Sequence, residues 1–468
     1  MKNNGVFIEN GPQDWQIIQR HDGKADIPLS GVWDVPDNWD AKNYGILVRI
    51  VDENTNRPVI NWQMADTTFD AGEKSGTWKH ILRDVPQGGL YRLETKVDGG
   101  DWTWGVRGDM RHHLGVGDIW VIIGQSNAAG YGKDHVEDAP QLGVHLLRHR
   151  GKWDMATHPF NESTDTVYLA NREASNPGVC PYLNFGKMLK RHLNIPIGLI
   201  PASQGGSPIC DWLTSKNGYL YRNMQKYLND CNNDFAGWLW YQGCTDAQYN
   251  RAPLEYCDDF TELVGQLRKD YGHKPVLTTQ LNKVTTNYEL QGSTYERNTF
   301  GVLREQQRRA AHTIPDTYIV PSYDLTMSDE IHNDAASSLV IGQRLAEVAL
   351  HAVYGLPGFE HIFAPDVASI RKIASNQTEL TFDHCECLYA IKVPTHMMPF
   401  ICEDKAGETT PIAMQVTGRN TMVVTWARDL ADDAKISFVP SELGAMRVLF
   451  DQPSYLPPLS FYRVLMSE

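Results

Sequence analysis

The chain has 468 residues, of which 41% are hydrophobic and 21% charged, with a formal net charge of -14 at pH 7. That is the composition of a globular protein long enough for two or three domains. An acidic surface repels phosphate backbones and anionic lipid, so neither nucleic acid nor membrane is an expected partner.

The start, Met1 to Val6, lacks the apolar stretch of a secretory signal. A cytoplasmic location is therefore expected, with secretion the alternative if a signal has been removed. The first 115 residues read as all-β. Tyr91, Leu93, Thr95 and Val97 alternate on one face of a strand, and Ile46 to Val51 is a second strand. The runs Pro86-Gln87-Gly88-Gly89 and Asp98-Gly99-Gly100-Asp101 read as hairpin-like turns. Seven of the 13 tryptophans lie between Trp15 and Trp104. They fit core and interface packing best, with a sugar-stacking surface as the alternative.

From 116 to 355 strands alternate with helices. Strands are expected at 118–123, 195–201, 237–241, 275–281 and 317–323. Helices are expected at 182–192, 219–228, 253–269, 300–311 and 335–354. The alternation argues for a parallel sheet covered on both faces. Arg304, Arg308 and Arg309 read as the solvated face of one of these helices. From 356 to 468 the chain turns β-rich again, with strands at 379–382 and 421–426. No apolar run reaches the roughly 18 residues that span a bilayer. Eight cysteines form no CxxC pair and no metal-ligand spacing, so they read as reduced thiols. No metal or cofactor is expected. The sequence does not fix the oligomeric state.

Four segments carry chemistry, each at or after a strand's C-terminal end, where open α/β sheets place ligands. They are Gly124-Gln125-Ser126-Asn127, Ser203-Gln204-Gly205-Gly206-Ser207-Pro208, Trp240-Tyr241-Gln242-Gly243-Cys244-Thr245-Asp246 and Asp329-Glu330-Ile331-His332. A serine hydroxyl is a poor nucleophile until a base takes its proton. Histidine suits that task, and a carboxylate on its other nitrogen fixes the tautomer. Acyl transfer also needs donors aimed at the developing oxyanion. Gly205 allows close backbone approach, and Gln242 carries a side-chain amide. Taken singly, Asp329 could be a helix cap and Gly205-Gly206 a plain turn.

Together the four blocks resemble the SGNH hydrolase superfamily, and within it the sialate O-acetylesterase-like carbohydrate esterases. The resemblance covers about residues 116 to 355. It implies an SGNH-type (flavodoxin-like) parallel α/β sheet with helices on both faces, flanked by a β-sandwich-like N-terminal domain and a β-rich C-terminal one. It implies Ser126 as nucleophile, His332 as base and Asp329 as its orienting acid. It further implies an oxyanion hole from the Ser126 N–H, the Gly205 N–H and the Gln242 side chain. The substrate would be an acetylated carbohydrate, from sialic acid or plant polysaccharide, with Gln125, Asn127, Trp212, Tyr241 and Tyr131 as candidate contacts. One position departs from the pattern: relatives have Glu after Gln-Gly, where this chain has Cys244, and Asp246 is the candidate to compensate. Two other readings compete, a non-catalytic carbohydrate-binding protein on an esterase scaffold and a lipid or thioester hydrolase of the same superfamily.

Overall fold

The computed structural model describes residues 4–37, 39, 45–68, 73–99, 105–174, 178–229, 231–248, 253–284, 299–439 and 447–466. The Asp98–Asp101 run is cut by this limit, and Trp102 and Trp104 lie outside it.

Two sheets build the N-terminal region. Strands Gly5–Asn10, Lys24–Asp34, Ser75–Pro86 and Asp66–Thr68 form one; Gly45–Asp52, Arg57–Met64 and Gly88–Asp98 belong to the other. The face of Tyr91, Leu93, Thr95 and Val97 is buried as the alternation requires. Trp33 and Trp78 lie in the core shared by these sheets, with Trp39 packed against it. Trp62 is held between Arg49 and Lys96, 4.4 and 5.1 Å from its ring. The described tryptophans thus pack. The expected hairpin at Pro86–Gly89 is not one. Its flanking strands pair with different neighbours, so the segment is a corner between the two sheets. Gly88 and Gly89, at φ +132° and +125°, supply the backbone angles of that corner.

The strand Val106–Gly124 runs for 19 residues. Its first half pairs antiparallel with Gly88–Asp98, and its second half is the middle of an α/β sheet. The expected division at 115/116 therefore falls inside one continuous strand. The α/β sheet runs Trp153–Met155, Val144–Leu147, Ile197–Pro201, Val106–Gly124, Gly237–Tyr241, Val276–Thr279 and Thr317–Val320, all parallel except the first. Strands such as Ile197–Pro201 and Gly237–Tyr241 are buried throughout, which is why they read as unbroken apolar runs. The five expected strands and five expected helices all form; the strands Val144–Leu147 and Trp153–Met155 at one end of the sheet were not expected. The final helix is Ala335–Val348, continued by a π-turn at Ala349–Val353.

Two of the three arginines expected on a solvated helix face are instead buried, and only Arg309 is exposed. Arg304 donates to the Leu281 and Asn282 carbonyls at 2.9 and 2.6 Å. Arg308 pairs with Glu305 and Asp366. A buried charge persists where acceptors surround it, and here two of those acceptors are backbone groups that a sequence pattern does not display. The C-terminal strands enclose their own core around Leu380, Phe382, Val424 and Trp426. No described helix is long and apolar enough to cross a membrane. None of the eight cysteines forms a disulfide.

Candidate active site

Three neighbouring strands, Ile197–Pro201, Val106–Gly124 and Gly237–Tyr241, end side by side, and their following loops converge. Gly124 closes the middle strand at φ +135°, and a Cβ there would lie 2.3 Å from the Tyr241 carbonyl oxygen. Only glycine fits, and the chain turns at once into the short helix Ser126–Ala129.

Ser126 is brought against the fourth segment. His332 Nε2 lies 2.8 Å from Ser126 Oγ. His332 Nδ1 lies 2.9 and 2.8 Å from the two oxygens of Asp329. The same carboxylate accepts from the N–H groups of Ile331 and His332 at 3.0 and 2.9 Å. Burial pushes the Asp329 carboxyl up, but the His332 ring and these N–H groups outweigh it and hold it below its ordinary value. Asp329 is not a helix cap: Asp334 caps the helix Ala335–Val348, accepting from the Ser337 N–H at 2.7 Å.

The remaining candidates separate on burial and partners. Gln125 is 1% exposed; its amide bonds Thr245 Oγ1 and accepts from the Gly243 N–H, so it locks two loops together. Asn127 ties the Ser126 turn to the histidine loop: it donates to the Ile331 carbonyl and accepts from the Asn333 N–H. Trp212 and Tyr241 lie in the core at 0% and 1% exposure and line no cleft. The Tyr241 hydroxyl donates to Asn333. Tyr131 does reach the site, its ring 4.7 Å from the His332 ring and 25° from parallel.

Two expected oxyanion donors are engaged elsewhere. Gln242 Nε2 donates to the Ser207 carbonyl and to Asp246, and the residue is fully buried. The Gly205 N–H donates to Glu173 at 3.1 Å. A Cβ at Gly205 would lie 2.7 Å from Glu173 Oε2 and 3.1 Å from the Tyr131 hydroxyl, so glycine lets the loop close on these two side chains. Among the described residues, nothing accepts from the Ser126 N–H.

Cys244 occupies the departing position. It donates to Asn282 Oδ1 at 3.5 Å and accepts from Asn127 Nδ2 at 3.7 Å. Both amides also donate to the Ile331 carbonyl, at 2.7 Å from Asn282 and 3.1 Å from Asn127. The thiol thus bridges two amides that grip the backbone next to His332. Asp246 does not take that place; it receives the Ile209 N–H as well as Gln242. Burial pushes the Cys244 thiol up to about 12, so almost no thiolate exists at neutral pH. Iodoacetamide should therefore label exposed Cys387 in the native protein and leave Cys244 unmodified, as mass spectrometry of the digested protein would report. Prompt labelling of Cys244 would contradict the buried bridge.

Sequence reasoning missed Glu173, Asn161, Asn282 and Asn333. Asn282 follows an expected strand and Asn333 adjoins His332, so both had positional signals. Glu173 and Asn161 lie in irregular polar chain with none. Among the described residues, no group of three or more His, Cys, Asp or Glu could hold a metal ion.

An α/β sheet that presents a serine, a histidine and an aspartate in one relay at its strand ends has the parts for acyl transfer. The family model described as carbohydrate esterase, sialic acid-specific acetylesterase, matches residues 116–351. The match spans half the chain, and the protein belongs to this family of carbohydrate esterases. It is 28% identical over 196 residues to a probable carbohydrate esterase of Arabidopsis thaliana, covering 37% of this chain and 72% of the relative. It is 24% identical over 220 residues to a sialate O-acetylesterase of Pongo abelii, covering 38% and 40%. A solved carbohydrate acetylesterase from Xanthomonas citri shares the fold along nearly the whole length, with TM-score 0.63, 22% identity and coverage of 96% and 97%.

Proposed function

We propose that the protein is a serine esterase that removes O-acetyl groups from carbohydrate through an acetyl-enzyme. The observation that carries this reading is the continuous relay from Asp329 through His332 to Ser126, with every link at 2.8–2.9 Å. Ser126 Oγ attacks the acetyl carbonyl carbon while His332 Nε2 takes its proton. The oxygen of the tetrahedral intermediate faces the Ser126 N–H. As the intermediate collapses, the bond to the sugar oxygen breaks and His332 returns the proton to that oxygen. Water then attacks the acetyl-enzyme and His332 takes its proton. Acetate leaves, and Ser126 Oγ regains the proton. Asp329 stays ionised throughout and stabilises the imidazolium.

The relatives' names favour an acetylated sugar, with sialic acid and plant-polysaccharide oligosaccharides as the substrates to test. The sheet is read as SGNH-type and flavodoxin-like: leaving Trp153–Met155 and Val144–Leu147 aside, the other five strands, all parallel, take the order 2-1-3-4-5. The division into 1–115, 116–355 and 356–468 is kept as a reading: most of each large core falls within one range, while Ile17 packs in the central core and Tyr323 in the C-terminal one.

A series of p-nitrophenyl esters tests the acyl preference. Acetate should be favoured over butyrate by about tenfold or more in kcat/KM, since each methylene beyond a fitted pocket is worth roughly 1–3 kcal/mol. A preference for long chains would instead make this a lipid or thioester hydrolase. Sugar binding without hydrolysis, unchanged in Ser126→Ala, would make it a binding protein.

A further inference from the structure

We propose that Glu173 is a positioning residue of this acyl transfer, acting on His332 through the ring of Tyr131; the inference rests on the triad reading above. Glu173 is 4% exposed and follows the short turn Leu169–Asn171. Its carboxylate accepts from the Tyr131 hydroxyl at 2.9 Å, from Asn161 Nδ2 at 3.0 Å and from the Gly205 N–H at 3.1 Å. Asn161 also donates to the Ser203 carbonyl at 2.7 Å. Asn171 adds a bond to that carbonyl and another to Ala202, both at 2.6 Å. One buried carboxylate therefore joins the glycine loop to the aromatic ring that lies on the histidine.

The ring does more than fill space. In each half-reaction His332 becomes an imidazolium, and a cation over an aromatic face is attracted by its negative quadrupole. A phenol that donates to a carboxylate shifts electron density towards its ring, so the Glu173–Tyr131 bond strengthens that attraction. It also holds the ring in the plane that supports the imidazole. Burial raises the Glu173 carboxyl above its ordinary value, against the three donors that lower it, which marks the site as one where a carboxylate is kept at a desolvation cost.

The charged groups around the imidazole are few. Asp329 and Glu330 lie on its own loop. Asp134 accepts from Ser328 in that loop at 2.7 Å, and Lys133 Nζ is 5.9 Å from the centre of the Tyr131 ring. Glu173 stands behind Tyr131. Glu173→Gln keeps the size and removes the charge.

The Glu173→Gln protein should lose about tenfold in kcat with KM nearly unchanged, and the acid limb of its kcat/KM profile should move down by roughly half to one pH unit, as weaker support of the imidazolium requires. In a Tyr131→Phe background the same change should have little further effect, because both substitutions break one connection. His332 can also be followed without turnover, by NMR titration of its ring nitrogens, with His332→Asn to assign the signal. Its midpoint should fall by the same amount in either variant. If wild type hydrolyses no ester, the esterase reading fails while this titration still decides the coupling. Should Glu173→Gln not fold, Tyr131→Phe carries the test alone. An unmoved midpoint in a folded variant, or losses from the two substitutions that simply add, would overturn the inference.

Discussion

Replacing Ser126 with alanine should lower kcat for acetate release by about 10⁴- to 10⁶-fold, the range seen when the nucleophile of a serine triad is removed. Thermal stability should hardly change, because among the described residues the hydroxyl bonds only His332 Nε2. Asp329→Asn is the companion. It preserves shape but offers an amide where Nδ1–H needs an acceptor, so the wrong tautomer is favoured and kcat should fall by about 10⁴-fold. Acetate released from an acetylated sugar, measured by a coupled assay, reports both. Activity in Ser126→Ala within tenfold of wild type would remove Ser126 as the nucleophile.

The second large effect concerns stability. The Asp324 side chain is fully buried and receives two bonds from Arg344, at 2.8 and 2.7 Å, and two from Arg447, at 3.2 and 2.8 Å. Burial pushes its carboxyl up, but the two guanidinium groups outweigh this and hold it below its ordinary value. Asp324→Ala leaves Arg344 buried without its partner and should destabilise the fold by about 3–5 kcal/mol. In a chain of 468 residues unfolding as one unit that lowers the midpoint of thermal unfolding by roughly 3–5 °C. The sign of the pH dependence follows from the depressed value. The contribution is fully present above the ordinary carboxylate range near about 4, and it is lost as pH falls through the lower folded value. Wild type and variant should therefore differ at pH 7 and converge only in strong acid. Equal midpoints at pH 7 would contradict the role assigned to the cluster. Asp324 and Arg344 also stand on either side of the Asp329–His332 loop in sequence, so the variant should lose activity before it unfolds.

The relay was legible because its parts are local in sequence. Gly124 to Asn127 follows an apolar strand, and Asp329 and His332 are three residues apart on one loop. The parallel sheet was legible because strands buried on both faces read as unbroken apolar runs. What stayed hidden depends on partners distant in the chain. Gln242 looked like a free amide until Asp246 and the Ser207 carbonyl were seen to take its N–H groups. Arg304 looked solvated because its acceptors are backbone carbonyls. Glu173 meets the site from a segment without periodicity, 32 residues before the glycine it holds. Val144–Leu147 has only four residues, too few for alternation or a long apolar run to announce it as a strand.

The strand Val106–Gly124 has one more consequence. Ribosomal synthesis delivers the N-terminal sheet first, so that sheet is available as a template when residues 106–116 emerge. Its pairing fixes the pleat phase of everything downstream on the same strand. A slip of one residue there would exchange the two faces of the strand and present Gln125 or Asn127 where Ser126 now meets His332. The aim of Ser126 is thus set upstream, by the N-terminal sheet. A fragment cut at residue 116 would carry every reactive side chain and lack the jig that aligns them.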